Sequence, residues 1–261
     1  MFEPRGGRTV LAHAHATAPL RVGSTFAVDD AALLILVCAG PGIFCGDSLT
    51  QTVVVKRGAR AVLVSQSALQ VHPSRSDRPA RVRQRYRVEA GGELHCHWDP
   101  VIPFVDAELD QRFEVDLAEG ARWYWSDALM CGRTARGEAW RFRALAHELR
   151  VQIDGSLQYL ERYRISPSNR DVTQTWIAND SRYFATTLVH HERLTVEHAE
   201  ALQASLQCHA GVNAGVDVVG GHLLASRLVA SSGVPFTNAR NAVRTFACAS
   251  IFASPGLAIR K

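Results

Sequence analysis

From about residue 50 to residue 166, apolar and polar side chains alternate in short runs closed by glycine-centred turns. That period-two pattern predicts β-strands with one buried face. Residues 53–57 and 59–65 flank a turn at Arg57-Gly58, and residues 81–89 and 93–98 flank Ala90-Gly91-Gly92. Residues 112–117 and 121–129 flank Glu119-Gly120, and residues 149–153 and 157–165 flank Asp154-Gly155. Asp-Gly suits two-residue hairpins because both central positions need φ > 0. The series reads as a long antiparallel meander, with turns too irregularly spaced for a visible solenoid repeat. After Pro167 the texture changes. Residues 182–191 predict a strand, and residues 196–206 a helix with Thr195 as N-cap and His198 at its third position. Residues 216–229 return to strand character around Gly220-Gly221, and residues 238–250 predict a short helix. The expectation is one mainly β domain over residues 1–261, with a β body to residue 166 and a mixed C-terminal part over residues 167–261.

Residues two apart in a strand share a face, so the pattern also sorts candidate chemistry. Arg81, Arg83, Arg85 and Arg87 form one guanidinium face. It reads either as a solvated strand protected from edge pairing or as a stripe for an acidic partner. His95 and His97 share a face opposite Cys96, which predicts exposed histidines or part of a Ni²⁺ or Zn²⁺ site. Glu161 lies on the same face as Leu157, Tyr159, Tyr163 and Ile165, and Asp127 on that of Trp123, Trp125 and Leu129. A carboxylate in apolar surroundings needs a partner, a proton or a cation. Arg133 or Arg162 are the expected neutralising groups, or else the carboxylates line a polar passage inside the β structure.

Composition changes the picture little. Apolar residues make up 47% and charged residues 21%, ordinary for a globular chain. Lys56 and Lys261 are the only lysines among 29 basic residues. Arginine favours fixed, bidentate contacts over loose point charges. A pI of 8.9 with scattered basic residues argues against nucleic-acid binding. Six cysteines without a CxxC pair resemble neither a disulfide framework nor a zinc ribbon. The opening MFEPRGGRTVLAHAHA lacks the basic start and apolar stretch of a secretory leader. No apolar run approaches the roughly 20 residues of a membrane span. A soluble cytoplasmic protein without membrane contact is expected. GxSxG, HExxH, Walker A and GxGxxG signatures are missing.

Several short segments stand in the order in which one known protein family carries its motifs. Gly40-Pro41-Gly42-Ile43-Phe44-Cys45-Gly46-Asp47 is similar to the family's Gly-Gly-x-x-x-Gly-Asp stretch, with Pro41 interrupting the usual paired glycine. Ser65-Gln66-Ser67-Ala68 closes a strand like the family's Thr- and Gln-rich one, with Gln70 where a basic residue is common. Trp98-Asp99-Pro100-Val101-Ile102-Pro103-Phe104 resembles its Pro-x-x-Ile-x-Phe signature. Gly132-Arg133, then Gly137-Glu138-x-Trp140, resembles its Gly-Arg-x-x-x-Gly-Glu-x-aromatic motif. Asp154-Gly155 with Glu161-Arg162 falls where the family has a later hairpin. The C-terminal third matches only in style, a strand carrying Arg227 and then a helix, and its tail from Ser254 to Lys261 is similar only loosely.

Together these segments resemble the UreD (UreH) family of urease accessory proteins, and the resemblance implies a β-helix-like stack of antiparallel and mixed sheets with one or two short helices in the C-terminal third. It implies a scaffold without turnover that binds apo-urease and joins UreF-type and UreG-type partners. The UreG-type protein hydrolyses GTP while nickel passes to the urease site. No tightly bound cofactor is expected, only transient nickel. Gly42, Gly46 and Asp47 are then expected to shape a turn at the mouth of the core. Gly132, Arg133, Gly137 and Glu138 fix a hairpin, and Gln66, Pro100, Ile102, Phe104, Arg162 and Arg227 complete the motif or partner surface. Asp47, Asp127 and Glu161 are the expected carboxylates of the nickel passage. The rival readings are a β-rich hydrolase using a serine or a metal at His95 and His97, and a purely structural interaction domain.

Overall fold

The computed structural model describes residues 1–175 and 177–259. Arg260 and Lys261, the end of the tail compared above, lie outside the described residues. The chain opens with β1 (Phe2–Arg5), β2 (Arg8–Leu11), β3 (Leu20–Val28) and β4 (Ala31–Cys38). Three coils follow: β5 (Ser48–Val55), β6 (Arg60–Ser65) and β7 (Leu69–Val71); β8 (Ala80–Val88), β9 (Glu93–His97) and β10 (Val101–Pro103); β11 (Glu108–Leu117) and β12 (Arg122–Met130). Next come β13 (Ala144–Ile153), β14 (Ser156–Ile165) and β15 (Tyr183–His190). The described chain continues with α1 (Val196–Gln207), β16 (Val212–Val219), β17 (Leu223–Ala230) and α2 (Gly233–Phe246).

The turns were located correctly, but three of the four join different sheets. β5, β8, β11 and β13 pair in parallel in a first sheet, with Ser48 opposite Arg81, Arg81 opposite Asp110, and Asp110 opposite Ala146. β4, β6, β9 and β12 pair in parallel in a second. The architecture is therefore β-helix-like, and the antiparallel meander is corrected. Arg57-Gly58, Ala90-Gly91-Gly92 and Glu119-Gly120 are corners between sheets. They stack through Glu89 N–H to the Val55 carbonyl and Ala118 N–H to the Val88 carbonyl, both at 2.9 Å. Of the four turns only Asp154-Gly155 closes an antiparallel pair, β13 with β14.

Alternation along each strand divides two cores. Trp123 and Trp125 of β12 point between the sheets with Leu63, Leu94, Val115 and Leu149. Tyr124 and Ala128 point the other way, under α1 and α2, with Leu202, Leu206, Phe236 and Val243. Each such fully buried large side chain contributes about 1.5–3 kcal/mol. α1 starts where expected, and the Thr195 N–H donates to His198 Nδ1 at 3.3 Å. α2 starts five residues earlier than the sequence reading, at Gly233 rather than Asn238. Pro235 falls within its first turn, where a missing N–H costs no helical bond. Among the described residues no helix is long and apolar enough to cross a membrane.

The arginine stripe also needs correction. β8 lies between β5 and β11, not at an edge. Two of its four guanidiniums meet acids of the same sheet: Arg83 pairs with Asp110 at 2.5 Å and Arg85 with Glu114 at 2.7 Å.

Candidate functional site

The segments 40–47, 65–70, 98–104 and 132–140, which carry most of the family resemblance, meet at the end of the coils away from the stacked corners, whereas Asp154-Gly155 lies at the corner end beside Leu117. Gly42 has φ 130°, and a Cβ there would collide with the Gln70 carbonyl. Ile43 donates its N–H to that same carbonyl at 2.9 Å and bridges Val71. Gly46 (φ 83°) lets Asp47 fold back, and the Asp47 carboxylate accepts the Phe44 N–H at 2.8 Å. The Pro100 carbonyl accepts the Leu69 N–H at 3.0 Å, so the strand carrying Ile102 lies along β7.

The second glycine motif closes the face. Gly132 has φ 129°, and a Cβ would strike the Glu138 carbonyl. Arg133 and Glu138 form a bidentate pair, both bonds 2.6 Å, across a short 3-10 turn whose end is Gly137 in the left-handed conformation. The expected hairpin is therefore a helical turn between β12 and β13. The Arg133 guanidinium lies 3.8 Å over the Phe104 ring. Phe104 meets His72 edge-on at 5.0 Å, and His72 stacks on Phe44 at 4.3 Å. Phe44 ends this staircase 44% exposed, a large apolar ring offered to solvent.

Behind that face a polar seam runs between the two sheets. A cavity of about 160 Å³ opens among Gly42, Gln66 and Gln70 and reaches inward past Gln51, Gln84 and Gln111 to Asp127. A second, of about 310 Å³, starts at Gln111 and Asp127 and continues past Glu161, Tyr163 and Arg227 between β14 and β17. Asp127 is the acid common to both. Burial, reinforced by the negative charge of Glu161, pushes its carboxyl up to about 7. Glu161 is buried, and its partner is neither Arg133 nor Arg162. Arg227 of β17 pairs with it at 3.0 Å, the Tyr159 hydroxyl donates to it at 3.0 Å and the Thr186 hydroxyl at 3.4 Å. Gln111 bonds His147 at 2.7 Å, and His147 stacks on Tyr163 at 4.8 Å. Burial lowers His147 to about 4, so it is neutral near pH 7.

The sequence-derived site residues thus divide. Gly42, Ile102, Phe104, Gly132, Arg133, Gly137 and Glu138 build one face, with Pro100 behind it and Gln66 at the mouth of the first cavity. Asp127, Glu161 and Arg227 line the interior. Arg162 lies on the outer surface, paired with Glu148 at 2.8 Å. Asp47 is exposed and does not line either interior cavity. The glutamine lining escaped the sequence reading. Its signal was present: Gln51, Gln84 and Gln111 each replace an apolar residue on an inward face, between Leu49 and Val53, Val82 and Tyr86, and Leu109 and Phe113.

The histidine pair was expected on an exposed polar face and is buried instead. His95 packs against Phe252 at 4.4 Å, and His97 against Tyr124 at 4.8 Å. Beside them Glu93 stands in register between Arg60 and Arg122. It pairs with Arg60 at 2.9 Å, Arg122 at 3.0 Å and His95 at 3.0 Å. Burial opposes ionisation of Glu93, yet the His95 contact and the Arg60 guanidinium hold its carboxyl at about 2. Arg60 also donates to the Ser254 hydroxyl at 2.8 Å, which fastens the 247–257 segment over this knot. Among the described residues no three His, Cys, Asp or Glu side chains converge as a metal-binding group.

The model of the UreD urease accessory protein family matches residues 1–260. The chain is 36% identical over 169 residues to the urease accessory protein UreD of Sorangium cellulosum, covering 65% of this chain and 54% of the relative. It is 33% identical over 150 residues to the UreD of Trichodesmium erythraeum, covering 56% and 54%. With urease accessory protein UreD 3 of Methylorubrum extorquens it shares 34% over 209 residues, covering 78% and 68%. The matches to the first two relatives thus span about half of their length. On a family match that runs almost from end to end, the chain belongs to the UreD urease accessory protein family.

Proposed function

We propose that this chain is a cytoplasmic, non-catalytic scaffold of urease maturation. It binds apo-urease and, with UreF-type and UreG-type partners, supports the passage of nickel into the urease active site, while GTP hydrolysis stays with the UreG-type protein. The observation that carries the nickel part is the meeting of two interior cavities at Asp127, with Glu161 in the second. Carboxylate oxygens hold Ni²⁺ weakly compared with imidazole or thiolate. Weak ligands suit cargo that must leave again. A carboxyl titrating near 7 exchanges its proton for a cation at little cost near neutral pH. The glutamine oxygens of the seam offer neutral ligands along the way. The exposed Phe44 ring, backed by His72, Phe104 and Arg133, is the proposed contact for a protein partner, since aromatic and arginine side chains dominate such contacts.

The test is urease activation in a heterologous host, reading nickel bound to purified urease. Asp127→Asn with Glu161→Gln is expected to stay folded and co-purify with urease, yet to load several-fold less nickel. Asp47→Ala is expected to load normally. Normal loading by the double variant would discard the passage, and a wild-type chain that never co-purifies with urease would discard the scaffold.

A further inference from the structure

A third space lies on the opposite side of the second sheet, between that sheet and α2, with a volume of about 350 Å³. It is at the small end of the range for ligand pockets, about 300–1,000 Å³. α2 brings Arg240 and Arg244 onto one flank, since residues four apart are neighbours on a helix. One terminal nitrogen of Arg240 donates to the Trp98 carbonyl at 2.9 Å and the Ser126 hydroxyl at 3.0 Å, which fixes its orientation. Arg244 donates to the Asn241 side-chain oxygen at 2.7 Å. The Nε atoms of both are buried without a hydrogen-bond partner.

Neither guanidinium takes part in any carboxylate ion pair of the described residues. By contrast Arg60, Arg83 and Arg227 each meet one. A buried cation whose nearest carboxylates act on it only at a distance, as Asp127 and Asp99 act on Arg240, is incompletely neutralised. The strain shows in Arg240, which burial pushes below the usual arginine range. The Tyr124 and Thr237 hydroxyls and the Asn241 amide line the same space and are neutral hydrogen-bonding groups. Asp99 also lines it, and Asp127 acts on Arg240 from the seam side but keeps its proton up to about pH 7.

We propose that this space is a binding site for a small oxyanion, with Arg240 and Arg244 as its charged ligands. Guanidinium forks match the paired oxygens of phosphates and carboxylates. The space adjoins the interior seam: Trp98 and Asp99 line both it and the first cavity, and the charge of Asp127 acts on Arg240 across the second sheet.

The experiment uses the full chain and calorimetric titration with inorganic phosphate, sulfate and acetate, each at an ionic strength held constant with sodium chloride. Saturable binding of at least one oxyanion is expected, and the selectivity among the three separates a phosphate-type ligand from a carboxylate. Arg244→Gln, which breaks a side-chain bond only to Asn241 of its own helix where Arg240→Gln would break bonds to Trp98 and Ser126, is expected to stay folded and to weaken that binding about tenfold. Arg162→Gln on the outer surface serves as control and is expected to bind as wild type. A wild-type chain that shows no saturable binding to any of the three overturns the proposal. So does an Arg244→Gln variant, folded by circular dichroism, that binds as tightly as the control.

Discussion

At the scale of single residues, the interior acids divide by how they are neutralised. Glu161 has a guanidinium and a hydroxyl against it, whereas Asp127 keeps a proton to about pH 7. The strand pattern identified both as inward-facing. It missed the partner of Glu161 because Arg227 lies 66 residues away in sequence and joins only when β17 packs across the gap. Asp47 was misjudged for a local reason: a carboxylate followed by a strand can be spent on its own turn, as the Phe44 N–H shows. A pH prediction follows for Asp127. Its folded value is above the unfolded 3.8. The protonated form therefore favours folding fully below about 4, and that contribution is lost as pH rises to about 7. Asp127→Asn is expected to match the wild type near pH 4 and to exceed it increasingly up to pH 8, by at most about 4 kcal/mol. Chemical denaturation at both pH values measures the difference, and an unchanged gap would refute an Asp127 carboxyl held protonated.

At the scale of elements, turn chemistry marked where strands stop but not which strands pair. A glycine corner and a hairpin look alike in sequence, because both need φ > 0 at one or two positions. Parallel pairing also leaves no local trace, since the partner strand arrives a whole coil later. The inward glutamines were legible in principle, each an interruption of an apolar face. Gly42 and Gly132 are fixed by close approach as well as by φ, each packed on a carbonyl of a neighbouring segment. Gly42→Ala and Gly132→Ala are expected to destabilise by about 2–4 kcal/mol, through backbone strain and collision together. Gly137→Ala, with the same sign of φ but open space around it, is expected to cost only about 1–2 kcal/mol. Equal losses in urea denaturation for all three would remove the close-approach argument.

For the whole molecule, the central strands of the second sheet are buried on both faces, by the first sheet on one side and by α1 and α2 on the other. The region after residue 166, whose strands and two helices the sequence predicted without their packing, supplies that outer cover. A chain cut after Ile165 would expose Tyr124, Ala128, His95 and His97 and leave β12 without its partner β15. Such a fragment is expected to aggregate where the full chain remains monodisperse, as size-exclusion chromatography would show.

The charge knot around Glu93 adds a matter of timing. Ribosomes release Arg60, Glu93 and Arg122 well before the segment that roofs them, residues 247–257. At about 5–20 residues per second, the delay between Arg122 and Leu257 is on the order of ten seconds. Throughout that interval a nascent chain holds its three charges wet and its middle strands unlatched. The coils therefore acquire their final lock late, and any chaperone that attends them has a defined window in which to act.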